Sequence, residues 1–261
     1  MQIINNQINF SELRNQYRQA SPFPHIVIDN FLDQKLCKDI EKVFPDHNAS
    51  FWLKYNNPIE KKLLYNHLDD KMPLLIKNTL LSLNKNNFLN RLTELTGITN
   101  LVSDPELHGG GMHCTKKGGK LDVHIDYSIH PKMQMERRLN LIVYLNSNWQ
   151  EEYGGELELW DKDVKNCVKK VRPVFNRAVI FSTGDISYHG HPDPLNCPDN
   201  MSRKSLALYY LTKPRKKATQ RFKARFVARP QDPKDSAIEN FRLQRSGLQT
   251  AKDLYEVDGK E

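Results

Sequence analysis

Between Leu101 and Thr212 the chain breaks into short apolar or alternating runs, and this pattern constrains the fold more than any other feature. The runs are Leu121 to Asp126, Leu139 to Leu145, Glu156 to Trp160, Val168 to Val174, Arg177 to Ser182 and Ser205 to Leu211. Turn-formers divide them: Asn146-Ser-Asn148, Gly154-Gly155, Asn176 and Thr183-Gly184. Each run is too short for an ordinary helix but long enough for a strand. Short strands at this spacing predict a sandwich or barrel. No repeat of fixed period is present.

The first hundred residues predict mostly helix. Leu32, Leu36, Ile40 and Val43 recur at helical spacing, with Asp33 placed to cap the first turn. Further helices are expected over Pro73 to Leu83, with proline in the first turn, and over Asn87 to Thr96, stopped by Gly97. His25 to Asp29, after Pro22 and Pro24, reads as a short strand. No Pro/Ser/Gly-rich linker separates the halves, so 1–261 reads as a single domain. Its parts are a helical layer over 1–100, a β-core over 101–212, and a basic strand with a polar C-terminal helix over 213–261.

The 261 residues carry a formal net charge of +8. The stretch from Lys213 to Arg229 holds eight Lys and Arg and no Asp or Glu, so the whole excess lies there. Within it, alternation in Arg221 to Val227 predicts a strand with Arg221, Lys223 and Arg225 on one face and Phe222, Ala224 and Phe226 on the other. Such a strip is either an edge strand guarded by charge or a docking surface for an acidic or nucleic-acid partner.

The four cysteines form no CxxC pair, which argues against a zinc ribbon and fits free thiols. The N-terminus lacks a secretory pattern, and the most apolar run, Leu139 to Leu145, is far short of the roughly 20 residues of a membrane span. A soluble, cytoplasmic protein is expected.

His124-Ile-Asp126 places an imidazole and a carboxylate on one face of a strand. Alone, this is as readily a His–Asp hydrogen bond. His189 follows 63 residues after Asp126. Two histidines and a carboxylate on one face of a metal, with the other positions open, make the facial triad of non-haem Fe(II) oxygenases. His191 lies two residues on and competes for the third position. Arg203 and Ser205 then share a strand face, where a guanidinium and a hydroxyl can bind the far carboxylate of a dicarboxylic acid. Arg203 could equally be a surface residue at a strand start. Phosphate-loop motifs such as GxGxxG are absent.

These residues, in order and spacing, resemble the 2-oxoglutarate/Fe(II)-dependent dioxygenases, in their prolyl 4-hydroxylase-like branch. The resemblance runs from about His108 to Thr212. It is carried by Gly109-Gly-Gly-Met-His113, Gly118 to Asp126, Arg138 to Asn146, Gly154-Gly-Glu-Leu-Glu-Leu159, Arg177 to Phe181, His189-Gly-His-Pro192 and Arg203 to Tyr210. It implies an α+β, mainly β fold: a double-stranded β-helix, or jelly roll, with N-terminal helices on its major sheet. It implies that His124, Asp126 and His189 bind Fe(2+). Arg203, helped by Ser205 and Tyr144, would hold the distal carboxylate of 2-oxoglutarate, although Tyr144 fits a core role nearly as well. It also implies hydroxylation of an unactivated C–H, with O2 consumed, succinate and CO2 released, and L-ascorbate keeping iron reduced. Asp126 argues against halogenation, since iron halogenases of this superfamily lack that carboxylate. The branch points to a prolyl residue in a peptide or protein. A free amino acid, a sugar or another small metabolite is the alternative, and a nucleic-acid binder with an inert core is the reading from another class.

Overall fold

The computed structural model describes residues 2–247. In chain order the elements are α1 (Arg14–Gln19), β1 (His25–Ile28), α2 (Gln34–Val43), β2 (Leu53–Asn57), β3 (Glu60–Tyr65), α3 (Leu74–Leu83), α4 (Asn86–Thr96), β4 (Val102–Ser103), β5 (Gly111–Thr115), β6 (Lys120–Ile125), β7 (Glu136–Tyr144), β8 (Leu157–Trp160), β9 (Cys167–Val171), β10 (Ala178–Ser182), β11 (His189–His191), β12 (Arg203–Thr212), β13 (Arg225–Phe226) and α5 (Ser236–Gly247).

Strand pairing runs unbroken in the order β1-β10-β7-β12-β5-β3-β6-β11-β8-β9. The sheet curls into a nearly closed barrel, the double-stranded β-helix expected from the sequence. Helices α2, α3 and α4 cover the outer face of the strands around β7 and β12. Leu36, Ile40, Ile76, Leu80, Leu92 and Leu95 share one core with Leu139, Leu141, Val143, Leu206 and Leu208.

The alternate residues of β7 and β12 turn inward: Asn140, Ile142, Ser205, Ala207 and Tyr209 line a central cavity. Both faces of these strands are therefore buried, one under helices and one against the cavity. That explains why Leu139 to Leu145 reads as an almost continuous apolar run.

Local signals hold where the helices begin and end. Asp33 Oδ1 accepts the Leu36 amide at 2.9 Å and caps α2. Gly97 ends α4 at φ +75, a left-handed conformation that favours glycine.

The mostly helical expectation for the first hundred residues is corrected in one place. β2 and β3 form a hairpin, and β3 inserts between β5 and β6. Its turn is set by Asn57, whose Oδ1 accepts the Ile59 and Glu60 amides. The Asn57-Pro58 pair was the available signal for it.

The basic strip is absorbed into the fold only in part: Lys213, Arg215, Lys216, Lys217 and Arg225 are exposed, whereas Arg229 is buried. Only Arg225 and Phe226 pair as a strand, against Ile125 and His124. Arg221 leaves that register to bond Asp185 at 2.6 Å and the Asp126 carbonyl at 2.9 Å. Arg229 bonds Asp193 and Asp232.

Arg215 grips Glu136, whose side chain is buried, with bonds of 2.9 and 3.0 Å. Burial pushes the Glu136 carboxyl up, but the Arg215 bonds outweigh it and hold it below the ordinary value. A depressed carboxyl stabilises the fold above its unfolded pKa of about 4.3 and loses that contribution as pH falls through the folded value. Glu136→Gln is therefore expected to lower stability at pH 7 by about 1 kcal/mol, because the guanidinium is half solvated. Urea midpoints of the two proteins should converge as pH falls to about 3. A gap that persists there would contradict the ion pair's role.

Candidate active site

Antiparallel pairing sets His189, at the start of β11, directly opposite His124 on β6. Asp126 lies just past the end of β6. One ligand atom from each of the three lies within 4.8 Å of the others. His124 Nε2 is 3.6 Å from Asp126 Oδ1, and His189 Nε2 is 3.7 Å from Oδ2.

Each histidine has its other nitrogen tied down. His124 Nδ1 sits 2.9 Å from the Asp122 carbonyl, and His189 Nδ1 2.9 Å from the Ser187 carbonyl. A carbonyl only accepts, so Nδ1 carries the proton and the Nε2 lone pair faces the cluster. Burial, then the neighbouring His124, pushes His189 down to about 4, so it is neutral at neutral pH as a ligand must be. Burial acts to raise the Asp126 carboxyl. Arg137, His189 and His124 outweigh it and hold the group well below the usual carboxylate range. Three convergent donors, two imidazoles and one carboxylate, fit a divalent metal with the remaining positions open.

Close packing keeps the pair of strands in place. A Cβ on Gly190 would lie 2.8 Å from the Leu121 carbonyl oxygen, so only glycine lets β11 approach β6 here. Phe226 stacks on the His124 ring at 5.0 Å, and Phe181 meets His189 edge-on at 4.8 Å.

Arg137 is the functional residue that sequence reasoning missed. Its guanidinium lies between the rings of Tyr127 and Tyr209, 3.6 and 3.4 Å from their centres. Nη1 reaches Asp126 Oδ2 at 3.0 Å, and the side chain is 1% exposed. Its neighbour Arg138 turns the other way, to Thr212. Which of two adjacent arginines faces the cavity is decided by the register of β7 and carries no local signal.

His191 stands outside the triad. It is buried, lines the same cavity, and its Nδ1 has no hydrogen-bond partner. Arg203 is also buried on this cavity. It donates Nε–H to the Gly155 carbonyl at 2.7 Å and Nη2–H to the Tyr144 hydroxyl at 3.1 Å. Gly155, at φ +77, is shaped around it: a Cβ there would meet Arg203 Cδ at 3.1 Å. Two of the five guanidinium donors are so used, which leaves others for a carboxylate. Ser205 pairs across the sheet with Tyr144 on one side and His113 on the other. The triad, Arg203 and Ser205 therefore line one cavity of about 720 Å³. Phe222, Lys223, Ala224 and Phe226 of the basic strip form part of its wall.

Residues 110–211 match the model of the 2OG-Fe(II) oxygenase superfamily. Over 86 residues the chain is 33% identical to prolyl 3-hydroxylase OGFOD1 of Mus musculus, covering 30% of this chain and 15% of that protein. The chain thus corresponds to a small part of that relative. Among solved structures, a Trichoplax adhaerens prolyl hydroxylase, determined with a hypoxia inducible factor peptide fragment, aligns with a TM-score of 0.56 and 20% identity over 77% of this chain and 90% of that one. A Pseudomonas putida prolyl-4-hydroxylase aligns at 0.52 and 16% identity, over 79% of this chain and 100% of that one. At those identities the likeness is one of fold. The β-core is thus similar in sequence to the 2OG-Fe(II) oxygenase superfamily over residues 110–211, and the fold is the one that the two prolyl hydroxylase structures share.

Proposed function

We propose that this 2-oxoglutarate-dependent dioxygenase hydroxylates a prolyl residue in a peptide or protein. His124, Asp126 and His189 hold Fe(II), and Arg203, Ser205 and Tyr144 hold the distal carboxylate of 2-oxoglutarate. The observation that carries this reading is the meeting of the three convergent ligand atoms and Arg203 on one cavity. Bound iron and 2-oxoglutarate supply O2 activation, with succinate and CO2 as co-products.

The protein's own residues do the rest. The carbonyls of Asp122 and Ser187 keep both imidazoles in the ligating tautomer. Arg137 offsets the Asp126 charge. Tyr144 and the Gly155 carbonyl aim the Arg203 guanidinium at the cavity. Phe226 and Phe181 exclude water from the outer sides of the histidines.

The test is to supply Fe(II), 2-oxoglutarate and L-ascorbate with proline-containing peptides, then to measure succinate and the addition of one oxygen atom. Arg203→Ala is expected to raise the KM for 2-oxoglutarate by about 10- to 100-fold, the loss of a charge-assisted bidentate contact. Arg203→Lys keeps the charge without the fork and should recover only part of it. An unchanged KM in Arg203→Ala would remove Arg203 from the co-substrate site.

A further inference from the structure

We propose that His191 is a further co-substrate-binding residue, donating Nε2–H to the distal carboxylate of 2-oxoglutarate alongside Arg203. This rests on the co-substrate reading of Arg203 and adds a contact to it.

His189 and His191 share β11, and both line the cavity. Their rings are prepared differently. Nδ1 of His189 has the Ser187 carbonyl at 2.9 Å, two residues back in the chain, and Nδ1 of His124 has the Asp122 carbonyl in the same relation. His191 lacks that tie. The register of β11 against β6 shifts between His189 and His191, and Nδ1 of His191 is buried with no partner. A buried N–H needs an acceptor, and Nδ1 has none, so the neutral ring carries its proton on Nε2. Nε2 forms no hydrogen bond with any described residue and, unlike Nδ1, is not shut off from the cavity. His191 thus holds the opposite tautomer to the two triad histidines. An Nε2–H cannot ligate a metal through that atom, but it can donate to an anion.

The ring lies at the Arg203 end of the cavity. Burial and then the Arg203 charge hold His191 well below the usual histidine range, with Lys62 and His124 behind them. Lys62 is already paired with Glu60 at 2.9 Å. The chain that leaves β11 returns to the same place. A Cβ on Gly155, whose carbonyl holds Arg203, would lie 2.5 Å from Leu195 Cδ2 and 3.1 Å from Arg203 Cδ. His113, on β5, is not the donor in question, because its Nε2 has the Gly109 carbonyl at 3.1 Å and its N–H is spent there. A carboxylate offers about four lone-pair sites, and a guanidinium fork fills two, which leaves room for a further donor.

The experiment reads binding, without turnover. 2-Oxoglutarate and 2-oxopentanoate, which lacks the distal carboxylate, are titrated by calorimetry into the full chain with Fe(II) and no O2. His191→Gln and His191→Met match in length and differ in the donor. His191→Met should bind 2-oxoglutarate about tenfold or more weakly than the wild type, the loss of a hydrogen bond to a charged group. His191→Gln should recover part of that loss. Both should bind 2-oxopentanoate as the wild type does, which a packing role for the ring would not allow. His191→Ala replaces His191→Met if that variant does not fold.

Equal 2-oxoglutarate affinity in the Gln and Met variants, or a loss that is the same for both ligands, would overturn the proposal. Arg203→Ala separates this failure from failure of the underlying reading. If Arg203→Ala weakens 2-oxoglutarate alone while His191→Met changes nothing, the co-substrate site stands and His191 has no part in it. A wild-type protein that binds the two ligands equally, or neither, removes the co-substrate reading and the proposal with it.

Discussion

Asp126→Ala is expected to lose Fe(II) and to lower 2-oxoglutarate turnover by more than about 100-fold, beyond the 10- to 100-fold cost of disturbing residues that merely orient a ligand. The carboxylate contributes the only negative charge among the three candidate ligands, and its two oxygens face the two Nε2 atoms at 3.6 and 3.7 Å. Its removal leaves two imidazoles, one beside Phe226 and the other beside Phe181. His189→Ala should behave alike, because His189 is the cross-strand partner of His124. His191→Ala should keep its iron, since His191 stands outside the cluster. Metal analysis of the purified proteins reads all three. Iron lost from His191→Ala but kept by His189→Ala would reverse the assignment.

Arg137→Leu is expected to cost about 3–5 kcal/mol in the metal-free protein, the cost of breaking a buried ion pair from one side. Asp126 would keep its charge in a buried site with its nearest cation gone. The two tyrosine rings would also lose the guanidinium stacked between them, contacts worth about 1–2 kcal/mol when desolvated. Added Fe(II) should recover part of this loss, because a bound metal supplies positive charge to the same carboxylate and stabilises the folded state by mass action. Arg137→Lys restores the charge but not the flat stacking surface, and should fall between the two. Thermal unfolding with and without Fe(II) checks both parts. A loss equal in the two conditions would mean that Arg137 acts through packing alone.

The legible parts of the fold are those that local chemistry decides. Asp33 capping α2, Gly97 ending α4 and the alternation in β12 all follow from residues within a turn or two of each other. The triad was legible because strand period two puts His124 and Asp126 together and the order of the remaining motifs narrows the partner. What was not legible depends on strands distant in sequence. The β2–β3 hairpin has little apolar periodicity of its own and is held by pairing with β5 and β6. Arg137 is singled out only when Tyr127 and Tyr209 close on it from β6's far end and from β12. The strip at 213–229 read as a basic edge, yet Phe226 lies against the ring of His124 and Lys223 faces the cavity. Alternation predicted a strand with two faces, but only Arg225 and Phe226 pair as strand, and Phe222, Lys223, Ala224 and Phe226 all line the one cavity.

The central claim is that the triad and Arg203 together couple O2 to 2-oxoglutarate and a prolyl C–H. It is tested most directly by turnover under isotopically labelled O2 with a proline-containing peptide. The account expects one labelled oxygen atom on the prolyl residue and a matching amount of succinate, both lost in Asp126→Ala. Oxygen derived from water, or peptide product without succinate, would contradict it.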